Sequence, residues 1–367
     1  MIARVFLAHQ INRLVDFYDV TIISNTSNYE DVLDNISNKV NVVSLPIERN
    51  INLFADIKAL FLLVSLFRSN NFSLVHSVSP KAGLLSAIAG WTARVPNRVH
   101  TFTGQVWATK NGFSRWALKL LDKLIVRINT EILVDSHSQQ EFLIKESVLS
   151  INNSTVLGNG SICGVDTKRF SPSLLNKKII RNKLNIDQDD VVILYVGRLK
   201  EEKGVVKLAN AFLNISKKNK NISMVIVGPD EENLKEKLVQ ILNVCIDSVR
   251  FIGFTKKPEH YMMASDILVL PSYREGFGNV VIEAASTGIP SIVTDIYGLN
   301  DSIINGETGL LTSVNSKESM EGAMDKLVKD KSLRIKMGNK ARLRASEFFS
   351  QEFITLKVIR FYKRLLH

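Results

Sequence analysis

The chain has only two cysteines, Cys163 and Cys245, far apart and in no C-x-x-C spacing. That excludes a disulfide framework or a thiolate metal knuckle and makes a reducing compartment the expectation. The six histidines form no cluster with ligand spacing, so no metal site is expected. Long apolar runs are missing as well. The most hydrophobic segment, ALFLLVSLF at 59–67, falls well short of the ~20 residues that a bilayer-spanning helix needs. The N-terminus does not read as a cleavable leader, because Arg4 and Arg13 interrupt IARVFLAHQINRL. There is no recognition-helix motif or exposed aromatic sheet pattern, which sets nucleic acid aside as a partner despite a net charge of +11.

The charge that is present lies in two zones. Between 80 and 127, eight Lys or Arg stand against Asp122 alone; from Lys326 onward, twelve stand against Asp330, Glu347 and Glu352. The remainder is net acidic, and two basic zones imply an anionic partner surface. Arg115, Lys119, Lys123 and Arg127 recur every four residues and form one stripe of a helix, with Trp116, Leu120, Leu121 and Leu124 on another face. Such a helix suits an anionic membrane interface; the other reading places its Leu face in the core and its cations in solvent.

Short apolar runs alternate with helical patterns in two series. DVTIIS (19–24), VNVVSL (40–45), SLVHSV (73–78), RVHTF (98–102) and EILVDS (131–136) belong to the first. VVILYVGR, ISMVIVG, VRFIGF, DILVLPS, PSIVTD and GLLTS belong to the second. Continuous apolar strands between helices predict α/β architecture with parallel sheets covered on both faces, here two doubly wound, Rossmann-like domains facing a central cleft. The expected boundaries are 1–160, 161–345 and a basic C-terminal helix, 346–367, crossing back to the first domain. LGNGSICGVDTKRFSP (157–172) reads as the hinge between domains; its glycines have the wrong spacing for a dinucleotide fingerprint.

Ligands of doubly wound sheets bind beyond the carboxyl ends of the strands, so the residues just after each strand carry the chemistry. Arg198, Lys200, Lys203 and Gly204 follow VVILYVG and open a helix. They are either a phosphate grip or a solvated charged turn. YREGFGNVVIEA (273–284) places Glu275 and Glu283 eight residues apart around Gly276 and Gly278. Carboxylates that accept from sugar hydroxyls, on either side of a phosphate-binding helix start, suit a nucleotide with a sugar at each end. In the competing reading Glu275 caps the helix and Glu283 is exposed.

GRLKEEKG, followed some seventy residues later by PSYREGFGNVVIEAASTGIP, resembles the retaining glycosyltransferases of family 4, with the GT-B fold. GVDTKRFSP and TDIYGLNDSIINGETGLL are similar to further segments of that family, and the resemblance covers most of the chain. It implies that Arg198 and Lys203 grip the donor diphosphate and that Glu275 binds the transferred sugar. It also implies that the backbone of Gly276, Phe277, Gly278, Asn279 and Val280 lines sugar and phosphate. Glu283 would then hold the ribose, and Ile252, Gly253 and Phe254 would touch the base.

By the same resemblance no metal or resident cofactor is needed. The resemblance implies a UDP-sugar as donor and, as acceptor, a polyprenyl-diphosphate-linked glycan for O-antigen, capsule or another surface polysaccharide, on the cytoplasmic face of the inner membrane. TFTGQVWATKNG resembles a segment of members that handle N-acetylated sugars. Two departures stand out. The chain opens in what reads as a first helix, so the family's first strand and its glycine-rich loop are expected to be missing. Thr103 precedes Gly104 where many members have histidine, leaving His76, Lys81, His100 and Thr103 as acceptor-side candidates. A non-catalytic nucleotide-sugar-binding subunit and a sugar-nucleotide epimerase are the alternative functions.

Overall fold

The structure, a computed structural model, describes residues 7–26, 36–47 and 52–366. The expected opening helix lies partly outside these residues. The chain divides into two compact units, Met1–Gly164 with Gln351–His367, and Val165–Ser350.

Unit 1 runs α1 (Ala8–Leu14), β1 (Thr21–Ser24), β2 (Asn41–Ser44), α2 (Leu53–Asn70), β3 (Leu74–Ser77), α3 (Pro80–Thr92), β4 (Asn97–Phe102), α4 (Gly112–Ile128), β5 (Glu131–Val134), α5 (His137–Lys145) and β6 (Thr155–Val156). β1 and β2 pair in parallel, and β3-β4-β5-β6 form a second parallel sheet in chain order. The helices cover it through separate apolar clusters. Phe102, Trp107, Ile125, Ile132 and Leu143 make one, and Ala59, Leu63, Phe67, Leu85 and Val95 another.

Unit 2 continues with α6 (Leu174–Lys183), β7 (Val191–Val196), α7 (Val205–Ser216), β8 (Ile222–Val227), α8 (Lys235–Ile241), β9 (Val249–Gly253), α9 (Pro258–Met263) and β10 (Ile267–Leu270). It closes with α10 (Asn279–Ser286), β11 (Ser291–Thr294), α11 (Leu299–Ser302), β12 (Gly309–Thr312), α12 (Lys317–Lys329) and α13 (Lys331–Phe348), and α14 (Gln351–Leu366) then belongs to unit 1. The six strands lie in the order β12-β11-β10-β7-β8-β9, all parallel. Every residue of β8, β10 and β11 is buried, which is why these strands read as unbroken apolar runs. Strand order reverses between β7 and β10, and that reversal opens a crevice at their carboxyl ends.

Arg181 on α6 ties the unit together. Fully buried, it pairs with Asp266 at 2.6 Å and donates to the carbonyls of Ala264, Asp187, Gln188 and Asp190.

Candidate active site

The β7/β10 crevice collects the cations and one carboxylate that the sequence singles out. Tyr195, buried in β7, donates its hydroxyl to Arg198 O at 2.8 Å and so shapes the turn that carries the arginine. Burial holds that phenol far above its usual range, with Glu275 adding to the effect, so it stays a neutral donor. Gly204 then turns the chain into α7 with φ +70°, and a Cβ there would stand 2.1 Å from Pro271 O. Only glycine lets the loops after β7 and β10 approach this closely. Across that closure Lys203 Nζ lies 2.6 Å from Glu275 Oε1, and Ser272 Oγ donates to the same oxygen at 2.9 Å.

The other cations are paired too. Arg198 Nη1 is 3.1 Å from Glu231 Oε2 and Lys200 Nζ 3.2 Å from the same oxygen; Arg274 Nη2 is 2.8 Å from Glu202 Oε2. Burial alone would raise the Glu202 carboxyl, but the Arg274 hydrogen bond and the charges of Arg274, Lys203 and Arg198 hold it below the ordinary carboxylate range. Cations and carboxylates thus balance one another at the switch point, and a diphosphate entering it can exchange with Glu231 for Arg198 and Lys200.

The expected helix start falls at Asn279, with Gly278 as its cap. Gly276 to Val280 form the turn into α10. The Phe277 ring is buried 5.4 Å from Phe349, so this residue offers a ligand its backbone alone. Glu283, one turn into α10, is half-buried. Burial pushes its carboxyl up to about 7, opposed by the Arg169 guanidinium and reinforced by Glu259. Arg169 itself bonds Glu259 at 2.7 Å, and among the described residues no protein donor reaches the Glu283 carboxyl. Ile252, Gly253 and the exposed Phe254 end β9 at the same edge of the sheet.

Glu202, Glu231, Ser272 and Arg274 were not anticipated. Glu231 carries the same signal as Arg198, since it follows a buried strand directly. The sequence also holds one Asp-x-Asp run, Asp187-Gln188-Asp189. It forms an exposed turn before β7, where Asp189 N–H donates to Asp187 Oδ1 at 2.9 Å. Among the described residues no three His, Cys, Asp or Glu gather as a metal site.

In unit 1 the acceptor-side candidates take the following places. Both nitrogens of His76 are occupied, Nδ1 by Tyr362 of α14 at 2.5 Å and Nε2 by Thr101 at 2.7 Å. His100 is buried against Gly83 and meets Ser77 Oγ through Nδ1 at 2.9 Å. Lys81 Nζ pairs with Asp56 of α2 at 2.5 Å, and Thr103 is half-buried beyond β4. Of the cationic stripe on α4, Arg115 and Lys119 turn inward onto Glu146 at 2.8 and 2.7 Å and lie over the Trp107 ring. Lys123 and Arg127 remain exposed, beside an open apolar face of Phe113, Trp116, Leu120 and Leu124.

The two imidazoles carry an acid-stability prediction. Burial lowers His76 to about 4; burial and then the neighbouring His76 charge lower His100 to about 3. Their contribution is complete above the unfolded value near 6.5 and is lost as pH falls through these folded values. Asp122, Asp135 and Glu283, raised by burial to about 6, 8 and 7, work in the opposite direction. A variant comparison therefore isolates the histidine. Between pH 7 and pH 4, His76→Gln should gain about 3 kcal/mol of stability relative to the native chain in urea titrations. A pH-independent difference would show that His76 is not held neutral.

A doubly wound parallel unit with a charge-balanced cluster at its switch point defines a nucleotide-binding domain. Residues 176–344 match the model described as glycosyl transferases group 1, and residues 3–160 match the glycosyl transferase 4-like domain. The capsular polysaccharide biosynthesis glycosyltransferase CapM of Staphylococcus aureus is 32% identical over 323 residues, 88% of this chain and 84% of CapM. The UDP-Gal:α-D-GlcNAc-diphosphoundecaprenol α-1,3-galactosyltransferase of Escherichia coli is 30% identical, over 88% of this chain and 83% of its own. Sucrose-phosphate synthase from Thermosynechococcus elongatus superposes with a TM-score of 0.82 at 23% identity, covering 98% of this chain and 92% of that one. The chain belongs to the group 1 glycosyl transferases, with the GT-B fold, and is a glycosyltransferase.

Proposed function

We propose that this enzyme transfers a sugar from a UDP-sugar, with retention of configuration, to a polyprenyl-diphosphate-linked glycan in surface-polysaccharide synthesis. The observation that carries the reading is the Lys203–Glu275 pair at the switch point, with Arg198 beside it. Arg198 and Lys203 take the departing diphosphate, whose developing charge they stabilise without a metal, and Glu275 accepts from hydroxyls of the transferred sugar. Glu283 accepts from ribose hydroxyls, which supply the donors its carboxyl lacks. The acceptor class follows the Escherichia coli relative and a Campylobacter jejuni relative, 24% identical over 95% of this chain, named as an N,N'-diacetylbacillosaminyl-diphospho-undecaprenol α-1,3-N-acetylgalactosaminyltransferase. Both suit donors among UDP-galactose and the UDP-N-acetylhexosamines.

Among the described residues no helix is long and apolar enough to cross a membrane. The open faces of α4 (Phe113, Trp116, Leu120, Leu124) and α2 (Leu53, Phe54, Ile57, Phe61) both belong to helices packed on α3. With Lys123 and Arg127 they support a peripheral seat on an anionic cytoplasmic leaflet, where a lipid-linked acceptor would be met.

The test presents UDP-, GDP- and ADP-sugars, with and without EDTA, together with α-GlcNAc-diphosphoundecaprenol. The expected result is EDTA-resistant transfer from one UDP-sugar, giving an α-linked product. UDP affinity should tighten as pH rises through about 7, where Glu283 becomes charged, and this pH dependence should vanish in Glu283→Gln with at least about a tenfold loss. Transfer from a non-UDP donor, abolition by EDTA, or native-like UDP binding by Glu283→Gln would each overturn the corresponding assignment.

A further inference from the structure

Beyond β5 the chain leaves the sheet at Asp135, which is 5% exposed. Its backbone is fully used: N–H donates to Gln139 Oε1 at 3.1 Å, and its carbonyl accepts from Ser161 N–H at 2.7 Å. Its side chain is not, because Oδ1 is buried with no hydrogen-bond partner. Three residues past β4, Gln105 is 1% exposed and shows the complementary defect. Its Oε1 accepts from Gln139 Nε2 at 3.2 Å, while its own Nε2 is buried without an acceptor. Gln139 is itself fully buried and held by the Ser136 cap of α5 through its N–H at 3.2 Å. It therefore bridges the ends of two adjacent strands, with an orphan carboxyl oxygen on one side and an orphan amide donor on the other.

Each such orphan costs on the order of 1–3 kcal/mol. Hydrogen-bonding capacity left unused in pairs, at the carboxyl edge of a parallel sheet, is where a ligand of such a sheet would use it. A hydroxyl can serve both, donating to the carboxyl oxygen and accepting from the amide. Burial also pushes the Asp135 carboxyl up to about 8, so the site carries no full charge at neutral pH and suits a neutral ligand rather than a phosphate.

We propose that Asp135 and Gln105 form a subsite for a sugar hydroxyl of the acceptor, with Gln139 as the positioning residue that sets their spacing. This rests on the glycosyl-transfer reading above. It also gives unit 1 a recognition element that does not depend on His76, both of whose nitrogens are engaged, or on His100, whose Nδ1 meets Ser77.

The experiment measures KM for α-GlcNAc-diphosphoundecaprenol, KM for the UDP-sugar, acceptor-free donor hydrolysis and the thermal midpoint, in the native chain, Asp135→Asn and Gln105→Met. The expected result is an acceptor KM raised about tenfold or more in both variants, with donor KM and donor hydrolysis unchanged. The Asp135→Asn midpoint should be equal to or above the native one, since the variant replaces an unpaired buried acid. A merely structural cluster, or one filled by a buried water, leaves acceptor KM within twofold of native in either variant, and that overturns the proposal. If the native chain transfers no sugar to this acceptor class, the functional reading itself fails and takes the subsite with it; that arm is read on the native chain alone.

Discussion

Lys203→Ala lowers sugar transfer by roughly 10²–10³-fold, the loss typical when one preorganised donor to developing negative charge is removed. Lys203 sits where α7 begins after β7, and Glu275 where the chain leaves β10, so their 2.6 Å contact spans the switch point of the sheet. The lysine pairs with Glu275 in this geometry, and under the proposed function it also faces the diphosphate once the donor is bound. Those roles separate in a double-variant cycle. Were Lys203 only the partner of Glu275, Lys203→Ala would damage transfer by leaving that carboxylate with Ser272 alone, and Glu275→Gln placed on top would bring the double variant to the rate of Glu275→Gln by itself. A direct role on the leaving phosphate predicts a double variant at least about tenfold slower than Glu275→Gln. A double variant as fast as Glu275→Gln would remove Lys203 from the chemistry.

How much of this could be read in advance depends on the distance over which each feature is decided. The strands of unit 2 were legible because strands buried on both faces must be continuously apolar, and VVILYV and ISMVIV carry that pattern within six residues. Arg198, Lys203 and Glu275 were legible as candidates because each lies between such a strand and the next helix. That Lys203 and Glu275 meet was not, since strand order is a property of the sheet. Partners far along the chain escaped for the same reason. His76 read as an acceptor-side candidate, and nothing in the sequence told of its hydrogen bond to Tyr362, 286 residues away. Arg115 and Lys119 looked like a solvent-facing stripe because helical periodicity cannot register Glu146, which lies beyond the next strand and helix. Asp135 and Gln105 gave no signal at all, because an unpaired buried atom is visible only once its surroundings are folded.

Arg181→Leu lowers the stability of unit 2 by about 3–5 kcal/mol, the range for removing one member of a buried ion pair. Leucine keeps apolar contact along the stem, and what is lost is the guanidinium together with the bonds it makes. Its Nη2 meets Asp266 Oδ2 at 2.6 Å, its Nε serves Ala264 O at 2.9 Å, and its Nη1 closes the turn of Asp187, Gln188 and Asp190 just before β7. Asp266 in turn accepts from Val192 N–H at 2.7 Å and pairs with Lys177 at 2.8 Å, so one network registers α6, the start of β7 and the start of β10. Burial alone would raise the Asp266 carboxyl; Lys177 and Arg181 hold it below the ordinary range. Without Arg181 the acid keeps only Lys177 and the Val192 N–H, and the carbonyls of Ala264, Asp187, Gln188 and Asp190 lose their donor. The double variant Arg181→Leu/Asp266→Asn should regain a substantial part of the loss, because it removes the stranded charge with the arginine. The comparison is made by calorimetry on the transition of unit 2. A single-variant loss below about 1 kcal/mol would mean that the arginine is held by the fold rather than holding it. A measured loss in the expected range, with Lys203 and Glu275 untouched, places the anchor of this unit at the amino ends of the two strands whose carboxyl ends form the candidate site.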